Sequence, residues 1–203
     1  MRQRELEIRL ERVPPHPRPT PHLEQYRTPP KIAADVLYRA LARGDVAEKA
    51  ILDLGCGTGM FAIGALILGA ARSTGVEIDA AALDVAREAA AALGVQPAFV
   101  AADATSYAEP HNTVIMNPPF GAQFAARHLD TAFVEAALRC ASVVYSLHSA
   151  ETAKHLERLG SGLGADVEFV TRYSFPLPAQ FRFHTREKVD VDVNLYRFET
   201  GSG

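Results

Sequence analysis

Cysteine is scarce in this 203-residue chain: Cys56 and Cys140 are its two. They cannot make a disulfide framework or a closed cysteine zinc site, so a reducing cytoplasm is the expected compartment. Long apolar runs are missing too, and none could span a bilayer. The opening residues, MRQRELEIRLERV, alternate charge with aliphatics where a signal peptide would have an apolar core. Charge of one sign is not in excess. The net -3 excludes a strongly basic nucleic-acid coat but leaves room for a local basic face. Seven histidines are present, yet no pair has helical ligand spacing beside a carboxylate motif, so structural or surface roles are expected and no metal site.

What is present points to one domain with a substantial core, since 48% of residues are hydrophobic. No repeat or low-complexity array interrupts it. Residues 13–31, VPPHPRPTPHLEQYRTPPK, are proline-rich and should run extended rather than helical. A helical pattern starts at Ile32, with Val36, Leu37, Ala40 and Leu41 on one face and Gly44 as a stop. Short apolar runs then alternate with alanine-rich helical stretches. AILDL, STGVEID, PAFVAAD, TVIMN and SVVYSLHS read as strands, and MFAIGALILGA, AAALDVAREAAAALG and TAFVEAALRCA as helices. That alternation is the form of βαβ units in a parallel sheet. Near the end, Val189, Val191, Val193 and Leu195 alternate with Asp190, Asp192 and Asn194, the pattern of a half-solvated antiparallel strand. The expected fold is therefore α/β: a single-domain, Rossmann-like, mostly parallel open sheet with helices on both faces and antiparallel C-terminal strands.

DLGCGTG (residues 53–59) joins the first strand to its helix. Gly55, Gly57 and Gly59 permit a tight turn and close backbone approach to a ligand beside a positive helix N-terminus. Glu77 ends the next strand about 20 residues on, where a ribose-binding carboxylate belongs. A dinucleotide loop would read Gly-x-Gly-x-x-Gly and face a diphosphate, but this one is preceded by Asp53. A carboxylate there suits a ligand with a sulfonium and an ammonium group, so S-adenosylmethionine is the expected cofactor. Asp103, after the third strand, is placed to accept from an adenine amino group. The alternative reading is a solvated strand-end cap.

The fourth strand leaves through NPPF, residues 117–120. A Pro-Pro pair cannot continue a ladder, so the backbone after Asn117 is stiff and its carbonyls are fixed acceptors. Open α/β sheets bind ligands beyond the carboxyl ends of their strands, which puts Asn117 at the same edge as Gly55, Glu77 and Asp103. A planar amino nitrogen is a poor nucleophile because its lone pair is delocalised. The Asn117 amide oxygen and the Pro118 carbonyl could each accept one of its N–H groups and aim that lone pair at a methyl group. Pro118 and Pro119 fix these acceptors in advance, and Phe120 would stack on the ring.

With these residues in view, the chain resembles class I S-adenosylmethionine-dependent methyltransferases carrying the amino-methylating [DNS]-PP-[FYW] motif. More narrowly, LEQYRTPP, DLGCGTGMFAIGALILGA, VIMNPPFG, VYSLHS and KVDVDVNLYRF resemble the archaeal and eukaryotic methyltransferase-like-5 family. That resemblance implies methylation of the N6 of one adenosine in small-subunit ribosomal RNA. It implies that Gln25 and Thr28 close over the cofactor. Gly55, Thr58 and Met60 would then line its methionine side, Glu77 would hold the ribose, and Asp103 with Ala104 the adenine. Thr58 stands where the family often has cysteine, a change compatible with backbone contacts. Residues 1–31 would be an arm contributing to the cofactor and RNA site, and residues 32–203 the methyltransferase domain. Eukaryotic members work with a small zinc-binding activator. The strand around Phe99, expected at a sheet edge, is where such a partner would add, unless a loop covers that edge.

FRFHTREK (residues 181–188) interleaves Phe181, Phe183 and His184 with Arg182, Arg186 and Lys188, as single-stranded RNA binding requires. An ordinary solvated loop reads the same way. Arg2, Arg4, Arg9, Arg12 and Arg18 are likewise either a backbone-contacting arm or a charged edge. Three functions stand: an RNA adenine-N6 methyltransferase, the same chemistry on a protein glutamine or DNA, and a non-catalytic cofactor-binding scaffold. Intact NPPF and glycine loops argue against the last. A glutamine enzyme would carry a larger N-terminal recognition domain, and a DNA enzyme a target-recognition region.

Overall fold

The computed structural model describes residues 1–19, 26–119, 129–178 and 188–201, without the side chains of residues 177, 178, 188 and 189. Seven strands form one sheet in the order β3-β2-β1-β4-β5-β7-β6. They are β1 (Ala50–Leu54), β2 (Arg72–Glu77), β3 (Ala98–Ala101), β4 (Thr113–Met116), β5 (Val143–Ser149), β6 (Ala165–Pro178) and β7 (Lys188–Thr200). The first five run parallel, and β7 lies antiparallel between β5 and β6. The helices are α1 (Gln3–Leu10), α2 (Pro30–Ala42), α3 (Met60–Ile67), α4 (Ala80–Leu93), α5 (Leu129–Cys140) and α6 (Ala153–Gly162).

Strand alternation sorts the core into two layers. Ile51, Ile115, Tyr145, Val193 and Leu195 face α1, α2, α3 and α4. Leu52, Val114, Val144, Tyr196 and Phe198 face α5 and α6. Successive side chains on a strand point to opposite faces, so a strand covered on both sides must be apolar at every position. β1 is buried at all of its residues for this reason.

The doubly covered parallel sheet expected from the sequence is thus present, with two differences. First, β7 is an interior strand. Asp190 and Asp192 are exposed, but residues 193–196 are buried on both faces, so Asn194 is not the solvated position its alternation suggested. Its amide is satisfied inside: Nδ2 donates to the Tyr196 hydroxyl at 3.0 Å and Oδ1 accepts from Arg172 Nε at 3.0 Å. Second, residues 3–10 form a helix whose Leu6 and Leu10, with Val13, are fully buried. Three of the N-terminal arginines are engaged within the protein. Arg9 and Arg12 donate to the carbonyls of Leu93 and Ala92 at the end of α4, and Arg4 pairs with Glu7. Cations at a helix C-terminus offset its unpaired carbonyls and its dipole.

β3 is an edge strand, as expected. Phe99 itself turns inward, however. A Cβ on Gly59 or Gly75 would come within 2.9 Å of its ring, so Phe99 buttresses the glycine loop. Ala98 and Ala101 are the exposed residues of this edge.

His148 and Ser146 are buried together on β5, with Oγ and Nε2 2.7 Å apart. Burial, helped by the nearby His155, lowers the His148 pKa from its ordinary 6.5 to about 3. The unfolded chain therefore takes up a proton first as pH falls. Stability from the neutral ring is complete above pH 6.5 and drains away toward about pH 3, by at most about 1.4 kcal/mol per pH unit. Urea unfolding of the wild type and of His148→Gln at neutral and acidic pH should show a flatter pH dependence in the variant. Parallel curves would contradict it.

Candidate active site

The register of the parallel strands assembles the site. Leu54 lies opposite Val76 on one side and Met116 on the other. One residue further along stand Gly55, Glu77 and Asn117, side by side at the carboxyl edge. They open onto a cleft of about 280 Å³ whose walls include Thr28, Asp53, Gly55, Gly57, Thr58, Met60, Glu77, Asp103, Ala104, Asn117 and Pro119.

Glu77 organises one side. Its Oε2 accepts from the Gly57 amide at 3.0 Å, and its Oε1 accepts from the amides of Ile78 at 3.0 Å and Asp79 at 3.1 Å. Oε2 keeps acceptor capacity for a ligand hydroxyl. Gly57 has φ +52°, a conformation that favours glycine, and there its amide reaches the carboxylate. Gly59, at φ +84°, begins α3 without a side-chain cap. Asp53 fills that gap from the end of β1, accepting from Ala62 N at 2.9 Å. Asp53 is 1% exposed. Its burial, with a smaller push from Glu77, raises the carboxyl pKa from 3.8 to about 7 against the pull of the Ala62 and Phe61 amides.

Asp103 is a cap at the end of the third strand and also borders the cleft. One carboxylate oxygen caps a short turn, accepting from Thr105 N and Oγ1, while the residue still lines the cleft. Thr58 donates its hydroxyl to Pro14 O at 2.8 Å, which leaves its backbone to face a ligand. Asn117 Nδ2 donates to Thr28 Oγ1 at 3.0 Å, so Thr28 is tied to the catalytic candidate rather than only to the cofactor subsite. Asn117 Oδ1 is buried and has no hydrogen-bond partner among the described residues. Gln25, Phe120, Phe181, Arg182, Phe183, His184 and Arg186 lie outside the described residues, as does the Lys188 side chain.

Several cleft residues had no motif to reveal them. Ile78, 63% exposed, sits beside Glu77 and gives the cleft an apolar surface. His16 lies 3.0 Å from Asp79 through Nε2. Arg27 brings the cleft a cation: Nη2 donates to Leu10 O and Glu11 O, while Nε is buried without a partner among the described residues. An apolar residue directly after a strand-end acid was the only usable signal, and it marks Ile78.

The methyltransferase small domain model matches residues 30–142. The rRNA N(6)-adenosine-methyltransferase METTL5 of Danio rerio is 36% identical over 98% of this chain and 99% of its own. Its Drosophila melanogaster counterpart is 34% identical over 100% and 98%. The chain belongs to this methyltransferase family. A crystal structure of a candidate RNA methyltransferase from Pyrococcus horikoshii superposes with a TM-score of 0.90, at 34% identity and 98% coverage of both chains. The resemblance read from NPPF and the glycine loop is therefore correct, and it extends over the whole chain.

In this family setting the Asp53 pKa has a measurable consequence. A cationic ligand seated beside Asp53 would require the carboxylate ionised, so below about pH 7 a proton would have to leave on binding. S-adenosylmethionine affinity should weaken between about pH 7 and pH 5.5, approaching tenfold per pH unit. Calorimetry on Asp53→Asn should show that slope removed. An equal slope in both proteins would exclude Asp53 from the response.

Proposed function

We propose that this protein transfers a methyl group from S-adenosylmethionine to the N6 amine of an adenosine in ribosomal RNA. Small-subunit RNA is the substrate that the methyltransferase-like-5 resemblance implies. The observation that carries this reading is Asn117 Oδ1: a buried acceptor without a partner among the described residues, at the mouth of an acidic cleft and ahead of two prolines. An unpaired buried acceptor is costly, and such groups persist where a ligand completes them.

The residues present fit the cofactor. Glu77 suits ribose hydroxyls, Ile78 and Ala104 the adenine faces, and Asp103 its amino group. Asp53 suits the ammonium group and Arg27 the carboxylate. Gln25 completes this set in the family pattern, with Gly55, Gly57, Thr58, Gly59 and Met60 supplying close backbone walls. When bound, S-adenosylmethionine supplies an electrophilic methyl group on a sulfonium. Asn117 Oδ1 and the Pro118 carbonyl accept the two N–H groups of the target amine. That favours a pyramidal nitrogen with its lone pair toward the cleft and offsets the positive charge that develops there. Pro118 and Pro119 hold these acceptors in place, so little reorganisation accompanies transfer. Phe120 stacks on the base, which must be unpaired or flipped to reach the edge.

Residues 1–31 contribute Thr28 and Arg27 to the site, and residues 181–188 hold flanking RNA through Phe181, Phe183 and His184 with Arg182, Arg186 and Lys188. A small zinc-binding activator adds to the β3 edge. The buried free thiols Cys56 and Cys140 agree with a cytoplasmic setting, and no described helix is long and apolar enough to cross a membrane.

Asn117→Ala should lower turnover about 100-fold or more while leaving S-adenosylmethionine affinity within about twofold. Product digestion and mass spectrometry should find N6-methyladenosine in ribosomal RNA. Preferred formation of methylglutamine or methylated DNA would overturn the proposal.

A further inference from the structure

An asparagine amide is nearly symmetric in shape but opposite in chemistry at its two ends. Turned over, Asn117 would present N–H donors to an amine that is itself a donor, and the acceptor described above would be lost. Something must fix which end faces the substrate.

Thr28 is 6% exposed, and its Oγ1 lies 3.0 Å from Asn117 Nδ2. The two residues come from segments 89 positions apart, and each is followed by a Pro-Pro pair, Pro29–Pro30 and Pro118–Pro119. Proline locks φ and restricts the residue before it, so the backbones on both sides of this hydrogen bond are stiff. Pro29 and Pro30 also lead directly into α2, and Arg27 is anchored to the carbonyls of Leu10 and Glu11. A hydroxyl can donate as well as accept, so the alternative is Thr28 donating to Oδ1. That would put the Nδ2 donors in the buried position where Oδ1 now stands, with no acceptor among the described residues. Among buried backbone groups an orphaned N–H is rarer than an under-satisfied carbonyl oxygen, and the same preference favours leaving the amide oxygen, not the NH2, open.

We infer that Thr28 is the positioning residue for Asn117: by accepting from Nδ2 it makes Oδ1 the end presented to the target amine. This rests on the proposed role of Asn117 and adds to it. Thr28 does not touch the reacting atoms. It links the N-terminal segment to the NPPF loop, so the segment is a working part of the site as well as a cover for it.

The test is kinetic and spectroscopic, on the full chain. Thr28→Val keeps shape but can neither accept nor donate; Thr28→Ser keeps the hydroxyl. Thr28→Val should lower kcat about 10-fold to 100-fold with KM for S-adenosylmethionine within about twofold, and Thr28→Ser should restore most of the rate. In ligand-free, nitrogen-15-labelled protein, the Asn117 side-chain NH2 should exchange slowly in the wild type and in Thr28→Ser, and rapidly in Thr28→Val. Unchanged kcat in Thr28→Val, a loss confined to KM, or equal NH2 exchange in all three proteins would overturn the inference. If Asn117→Ala is inactive while Thr28→Val is fully active, only this inference fails. If Asn117→Ala is itself active, the proposed function fails with it.

Discussion

The three hydrogen bonds into the Glu77 carboxylate hold the site together. They join the end of β2 to the glycine loop after β1 and to the first residues before α4. A carboxylate is a strong acceptor at a place where backbone amides converge and no strand continues to pair them. With the loop held there, α3 starts at Gly59, Asp53 can reach the Ala62 amide, and a cleft opens between them. Phe99 supports the same loop from the edge strand. Losing the Glu77 carboxylate would therefore disturb loop geometry as well as a ligand contact.

Across the cleft the logic reverses. Glu77 has its donors supplied by the protein, whereas Asn117 Oδ1 has none among the described residues. The first arrangement builds a stable wall, and the second offers an acceptor to a ligand N–H. Prolines on the backbone and Thr28 on the amide hold that acceptor in place.

Much of this could be read from the sequence because parallel strands buried on both faces are apolar until they end. The polar residue that stops each run, Asp53, Glu77 or Asn117, is therefore visible as a boundary and lies at one edge by topology. Elements with mixed patterns were not visible in this way. α1 alternates arginine and glutamate with leucine, and only its packing shows that Leu6 and Leu10 are core. β6 contains Pro176 and Pro178, which break its reading as a strand. Asn194 looked solvated because a sequence cannot show that β7 is flanked on both sides. Arg27 and His16 were hidden because a proline-rich segment has no periodicity to say which way a side chain turns. The helix-capping role of Asp53 was missed for a related reason: the acceptor comes from a strand, while the sequence signal for a cap sits at the helix start.

The most direct test of the account is a crystal structure of the protein with a non-reactive S-adenosylmethionine analogue and an adenosine-bearing RNA fragment. The account requires the adenine amino nitrogen within hydrogen-bond distance of both Asn117 Oδ1 and the Pro118 carbonyl, with the ribose of the analogue on Glu77. An adenine amine bound elsewhere, or an Asn117 Oδ1 satisfied by the protein while substrate is bound, would contradict it.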